Sequence, residues 1–348
     1  MRTILRQRRC FLLCLLMCFL LVSPLFSQGV INLKLASLVP ENTAWGQAIN
    51  RLAAEWMRIS NGQINVIVYH GGTAGTESQV MSMLRSNQIQ AGVFTSMGLN
   101  QITPEVMAFS YPFLIRNDAE YREVISKLRS DVDAKMQQKG FVTLAWAHAG
   151  WIKLFTRTPI ITPADLRALK LGTGTDDPSM EQAFKLLNYS VVPSELNDQL
   201  PALQSNRIQA VYNSPIFVAG NQLFGIASNM SSINVAPFMG GILVNTRAWR
   251  TIESRLSPAV ITQLKQICKE LEAEIASSIS VLENDAVNTM LRHGLKVVDL
   301  TPAQTQVWYD DTARYESRLI GGSSPIFNRE YYIKIRDILV QYRAARGQ

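Results

Sequence analysis

The chain has 348 residues and a formal net charge of +7, from 34 basic and 27 acidic side chains, and it is 47% hydrophobic and 18% charged. That length allows two domains with cores of their own, and the ordinary composition, without short-period repeats or low-complexity tracts, excludes a disordered chain and a solenoid. Four basic residues and no acidic ones precede position 28, which leaves 30 against 27, or +3, for the remainder; without a clustered basic face, that balance excludes nucleic acid as the expected partner.

In chain order, Arg2, Arg6, Arg8 and Arg9 precede an apolar run from Phe11 to Val22 and the breaker Ser23-Pro24. This pattern predicts an export signal over residues 1–27, too short for the ~20 residues that span a bilayer. An uncleaved segment kept as an anchor is the alternative. Cys10, Cys14 and Cys18 lie in that run. Export therefore leaves Cys268 alone, with no internal disulfide and no cysteine-rich metal site. Residues 31–38 alternate apolar and polar and predict the first strand of the exported part. Residues 40–43 combine a stop with helix-start chemistry, and Ala44, Ala48, Leu52 and Trp56 follow at helical spacing. Asn61-Gly62 turns into a second strand at 64–69, and the glycine loop 71–77 opens the next helix. Residues 89–94 predict a strand apolar enough to be covered on both faces, and 141–148 another.

Three short apolar runs, 169–171, 189–192 and 208–212, then alternate with two helical patterns. That is the rhythm of strands joined by helical crossovers, with ligand sites beyond the strand ends. From Pro258 to His293, apolar residues recur every three or four positions. One helix of that length is ~50 Å long and must lie across two domains; a break at Glu283-Asn284-Asp285 gives two helices instead. A last strand at 295–300 and helices from Pro302 and Arg329 complete the pattern.

The run Pro159-Ile160-Ile161-Thr162-Pro163-Ala164-Asp165-Leu166-Arg167-Ala168-Leu169-Lys170-Leu171-Gly172 resembles a segment of the solute-binding proteins of TRAP transporters, the DctP-type family. Three earlier fragments, residues 60–66, 72–77 and 109–114, resemble that family in the same order. The resemblance implies an α/β, two-lobed periplasmic-binding-protein fold with mixed sheets, hinge crossings and a long helix spanning both lobes. It implies a periplasmic receptor with a small-molecule ligand, TRAP membrane subunits as partners, no cofactor and no catalysis; some relatives also work with a periplasmic tetratricopeptide-repeat protein. On this basis lobe one is expected at 29–150 plus about 239–275, and lobe two at 151–238 plus about 276–348. The crossings then fall near Gly150 and Met239-Gly240-Gly241, where glycine accepts large dihedral changes.

Gly172 stands where the resembled family has an arginine that grips a carboxylate, and Ile152 stands at its second basic position. Strand alternation puts Ile152 and Lys153 on opposite faces. A buried carboxylate without a partner costs several kcal/mol, so a simple dicarboxylate is a poor expected ligand. An apolar or amphipathic one fits better, held by Trp45, Phe94, Met97, Phe113, Trp151 and Phe217, with Tyr212 and Asn213, and more weakly Gln199 and Asn197, as polar or amphipathic contacts beside Gly172. Asn213 matches the resembled family's asparagine after a strand. Core packing is the alternative for each aromatic. An organic acid held through Lys153 or Arg157 is the other binding reading. No GxSxG, HExxH, Walker A or GxGxxG motif is present. Asp176-Asp177 before Pro178 reads as a helix cap, and His70 as a strand-end residue. An enzyme on the same scaffold, or a scaffold protein with a vestigial cleft, are the remaining alternatives.

Overall fold

A computed structural model describes residues 29–175, 177–322 and 325–347; the expected export signal lies outside the described residues. Ten strands are present among them: β1 (Ile31–Ala36), β2 (Ile64–Tyr69), β3 (Ala91–Thr95), β4 (Phe141–Thr156), β5 (Lys170–Thr173), β6 (Ser190–Pro193), β7 (Ala210–Asn213), β8 (Asn229–Ser231), β9 (Ala236–Asn245) and β10 (Lys296–Val298). The helices are α1 (Ala44–Ile59), α2 (Glu77–Arg85), α3 (Ser96–Asn100), α4 (Asp118–Gln138), α5 (Pro163–Arg167), α6 (Pro178–Leu186), α7 (Gln199–Gln204), α8 (Pro215–Gly220), α9 (Thr246–Arg255), α10 (Pro258–Arg292), α11 (Pro302–Ala313), α12 (Glu316–Leu319) and α13 (Arg329–Ala344). No helix among the described residues is long and apolar enough to cross a membrane.

The strands form two mixed halves, β2-β1-β3-β9-β4 and β4-β7-β5-β6, with β8 on β4 and β10 on β8. In the first half β1 runs parallel to β2 and β3, and β9 runs antiparallel to β3. In the second, β5 is parallel to β6 and β7 while β4 is antiparallel to β7. The two halves are the two lobes. Helical crossovers between parallel strands cover the faces, as the short apolar runs required.

β4 and β9 pass between the lobes side by side, paired from Phe141↔Asn245 to Ile152↔Ala236. The sequence suggested that β4 stops at His148; it continues to Thr156 through a register shift between His148 and Trp151. Gly150 makes the shift possible with φ 92°, in the left-handed region that costs other residues energy. A Cβ at Gly150 would strike the Glu283 carboxylate, which accepts the Trp151 N–H at 2.8 Å.

Glu283 belongs to α10, a single helix of 35 residues, with Ser257 as its cap and Pro258 at its first position. Its stripe Ile261, Leu264, Cys268, Leu271 and Ile275 packs against α1 and the first half-sheet. Further along, Met290 joins Phe155, Leu203 and Leu295 in the second lobe's core. The helix therefore spans both lobes. Burial pushes the Cys268 thiol up to about 12, so it sits in the core as a small apolar group.

The tail differs from expectation. α13 was expected with lobe two, but it lies on α4 of lobe one. Its Tyr331, Tyr332, Ile335 and Leu339 share a core with Tyr121, Val124, Leu128 and Val132. Arg343 forks onto Glu120 with two contacts of 2.8 Å, and Lys334 reaches Asp131 at 2.9 Å. The buried stripe of α4 needed an apolar partner, and α13 supplies it.

Candidate functional site

The carboxyl ends of β3, β5 and β7 converge with the crossing strands on a cleft that holds about 180 Å³ of free space. Strand ends in open α/β sheets are where such clefts form. Lobe one contributes Leu38, Glu77, Thr95, Ser96, Met97, Met107 and Ser110; lobe two contributes Gly174, Asp177, Met180, Leu196, Gln199, Tyr212, Asn213 and Phe217. Ile152 and residues 235–238 line it from the crossing segments.

Helix-start chemistry sets the polar part of the wall. Thr76 and Gln79 form a capping box that fixes Glu77 as the first residue of α2. From there Glu77 accepts the Thr95 N–H through Oε1 at 2.5 Å and the Thr95 hydroxyl through Oε2 at 2.8 Å. Asp177 caps α6, accepting the Met180 N–H through Oδ1 at 3.1 Å, with Pro178 at the first helical position. Its Oδ2 accepts the Tyr212 hydroxyl at 3.3 Å. Ser214 caps α8 by accepting the Phe217 N–H at 3.2 Å, which sets Phe217 in the wall, and Asn213 Oδ1 accepts the Ser214 N–H at 2.8 Å. Gln199, only 1% exposed, belongs to the wall, and its Oε1 is buried with no donor among the described residues. At the rim, Asn100 Nδ2 comes within 3.5 Å of Ser179 Oγ, joining the two lobes.

The structure brings together five of the residues singled out from the sequence: Met97, Gln199, Tyr212, Asn213 and Phe217. It places the other five elsewhere. Trp45, on α1, is partly buried against the first lobe's core. Phe94 and Trp151 are buried; their strand neighbours Thr95 and Ile152 face the cleft instead, as alternation demands. Trp151 Nε1 donates to Asp118 at 2.7 Å. Phe113, at φ 63°, packs on Trp308 and Tyr309. Gly172 is buried within β5, where a Cβ would meet the Ile208 side chain. Asp176 and the side chain of Asn197 lie outside the described residues. His70 bonds Asn50 Oδ1 at 2.8 Å, away from the cleft wall.

Neither basic candidate lines the cleft. Lys153 Nζ donates to the Ser232 carbonyl at 3.0 Å and Asn234 Oδ1 at 2.8 Å, and burial pulls its ammonium below the usual lysine range against the pull of Glu283. Arg157 donates to the Leu203 carbonyl at 2.5 Å. No Lys, Arg or His stands among the described residues of the lining. Sequence reasoning missed Glu77, Met107, Ser110 and Met180 as wall residues. Glu77 reads from sequence only as an acid in a first helical turn, and its reach to Thr95 needs the fold.

A family profile described as "Bacterial extracellular solute-binding protein, family 7", DctP, matches residues 35–318. The chain is 26% identical over 153 residues to the 2,3-diketo-L-gulonate-binding periplasmic protein YiaO of Escherichia coli (strain K12), covering 43% of this chain and 46% of that protein. It thus spans about half the length of that relative. It is 22% identical to the C4-dicarboxylate-binding protein DctB of Bacillus subtilis (strain 168), covering 90% of this chain and 87% of that one. Among solved structures, a TRAP periplasmic solute-binding protein from Pseudomonas putida F1 with bound D-glucuronate superposes with a TM-score of 0.75 at 18% identity, over 88% of this chain and 96% of that one. One from Pseudomonas aeruginosa PAO1 with bound L-malate gives 0.72 at 18% identity, over 83% and 99%. These likenesses show the two-lobed fold, and the profile match over most of the length shows the family: this chain belongs to the DctP family, family 7 of the bacterial extracellular solute-binding proteins.

Proposed function

We propose that this protein is an exported receptor of a TRAP-type transporter whose lobes close over a small molecule with a mainly apolar body and deliver it to membrane subunits. Residues 1–27 serve as the export signal in this reading, and the lobes swing about the crossing at Gly150 and residues 239–241. A periplasmic tetratricopeptide-repeat protein as second partner rests on the missing family arginine alone.

One observation carries the ligand class. The apolar part of the cleft wall is built from Met97, Met107, Ile152, Met180, Phe217 and Phe238, beside polar groups such as Glu77, Asp177, Gln199 and Asn213, and its described lining holds no cation. Ile152 lines the wall at a position where the resembled family has a basic group. An apolar body of several carbons gains about 0.8 kcal/mol for each buried CH₂. The free space of about 180 Å³ is comparable to the engineered cavity of ~150 Å³ that takes benzene, which suits an apolar body of about that size.

A second reading follows from the relatives, whose names record D-glucuronate and L-malate. An organic acid would here rely on neutral donors such as Ser96, Ser110 and Asn213. Calorimetric titration of the exported protein, unfolded and refolded to strip any carried ligand, separates the two. Binding of octanol with no response to L-malate or D-glucuronate is the expected result; binding of the acids alone would end the apolar reading.

A further inference from the structure

We propose that the apolar body of the ligand is an aromatic ring, held between the methionines and the aromatic side chains of the wall, so that the cleft prefers it to a straight chain or a saturated ring of equal carbon count. This deepens the receptor reading above and rests on it. The first observation is the make-up of the wall. Three of the chain's twelve methionines, Met97, Met107 and Met180, stand in it beside the aromatic residues Tyr212, Phe217 and Phe238. A saturated ligand gains from such a wall only through the area it buries. A ring gains from direction as well. An aromatic neighbour met offset or edge-on adds about two- to tenfold in affinity, and a methionine sulfur near the ring adds a comparable factor.

The second observation is where these side chains stand and what fixes them. Met97 comes from lobe one, Tyr212 and Phe217 come from lobe two, and all three are half-buried members of the wall. A ligand between the lobes therefore meets methionine from one side and rings from the other. The rings are placed by the protein itself. Tyr212 meets Phe184 edge-on with centroids 4.8 Å apart, and its hydroxyl donates to Asp177 at 3.3 Å. Phe217 has its backbone N–H bound to Ser214 Oγ at 3.2 Å. Met97 supplies the adaptable partner, an unbranched side chain that can follow the tilt of a ring. A rigid ring loses little freedom between such partners, whereas a long chain loses rotamer freedom at every bond it orders. The free space of about 180 Å³ also matches one benzene ring with a short substituent.

The test uses three neutral alcohols of eight carbons each, 2-phenylethanol, 2-cyclohexylethanol and octanol. They are titrated calorimetrically into the stripped exported protein, with L-malate and D-glucuronate alongside. Area burial alone favours the two saturated alcohols, so the proposal reverses the order that the hydrophobic effect would give. The expected result is 2-phenylethanol at least ~10-fold tighter than either. Met97→Leu keeps the bulk and removes the sulfur, and Phe217→Leu removes a ring. Each should shrink the phenyl-over-cyclohexyl preference by ~3-fold or more, and one gives a readout even if the other does not fold. Binding of 2-cyclohexylethanol or octanol as tightly as 2-phenylethanol overturns the ring proposal and leaves the apolar body standing. So does a preference that both variants leave unchanged. Binding of none of the alcohols overturns both readings, whether or not the acids bind.

Discussion

Gly150 and His148 bracket the point where the chain changes lobe. Gly150 combines a left-handed backbone with a Cβ direction that runs into Glu283. Gly150→Ala adds left-handed strain to that clash and disturbs the Trp151 N–H bond to a charged acceptor, so we expect a loss of about 2–4 kcal/mol, read as a lower urea midpoint. An unchanged midpoint would show that the bulge relaxes freely. His148 stacks on Tyr121 at 4.2 Å and meets Trp151 edge-on, and its Nε2 is buried without a partner among the described residues. Burial brings its pKa down to about 4 from an ordinary 6.5, despite Asp118 nearby. Between those values the unfolded chain holds a proton that the folded chain refuses. Stability therefore falls as pH drops through 6.5 toward 4, by on the order of 3 kcal/mol in full, and stays level on this account above 6.5. His148→Phe should remove that part of the acid slope in melting scans from pH 7 to 4.5; superimposable profiles for the two proteins would refute it.

At the scale of elements, the C-terminal helix depends on one buried fork. Glu120 is 2% exposed and accepts from Arg343 Nε and Nη2 and from the Arg116 N–H, while Arg343 also reaches the Leu114 carbonyl. Arg343→Ala strands that carboxylate in the core, so we expect a loss of ~3–5 kcal/mol. The double variant Arg343→Met/Glu120→Gln should lose distinctly less, since no bare charge is left behind. Equal losses from both in chemical denaturation would mean that α13 is held by its apolar face alone.

These elements also mark what the sequence could tell. Helix starts were plain, because Thr43, Asp177-Pro178 and Thr301-Pro302 carry their cap chemistry within four residues. The unbroken α10 was legible as a stripe. The continuation of β4 was not, since a glycine in a strand pattern reads as an end until a partner such as β9 shows it to be a bulge. The docking of α13 was hidden for a similar reason: its partner α4 lies about two hundred positions earlier, and nothing local names it.

For the whole molecule, the two-lobed fold with its mixed sheets was within reach of the residues. Which aromatics face the gap was not. Phe94 and Trp151 sit one position away from the residues that do, and a shift of one along a strand exchanges wall for core. The wall's acids were read as caps or passed over, because a cap and a wall residue are the same side chain seen from two sides.

The pairing of β4 with β9 beneath α10 has one more consequence. A ribbon of two bonded strands twists far more readily than it stretches, and Glu283 fastens it to the long helix at the turning point. If the proposed closing motion takes place, the back of the protein is expected to keep nearly the same shape whether the gap is filled or vacant. On that proposal, a membrane subunit that tells a loaded carrier from an idle one would inspect the opposite side, where Asn100 and Ser179 approach each other.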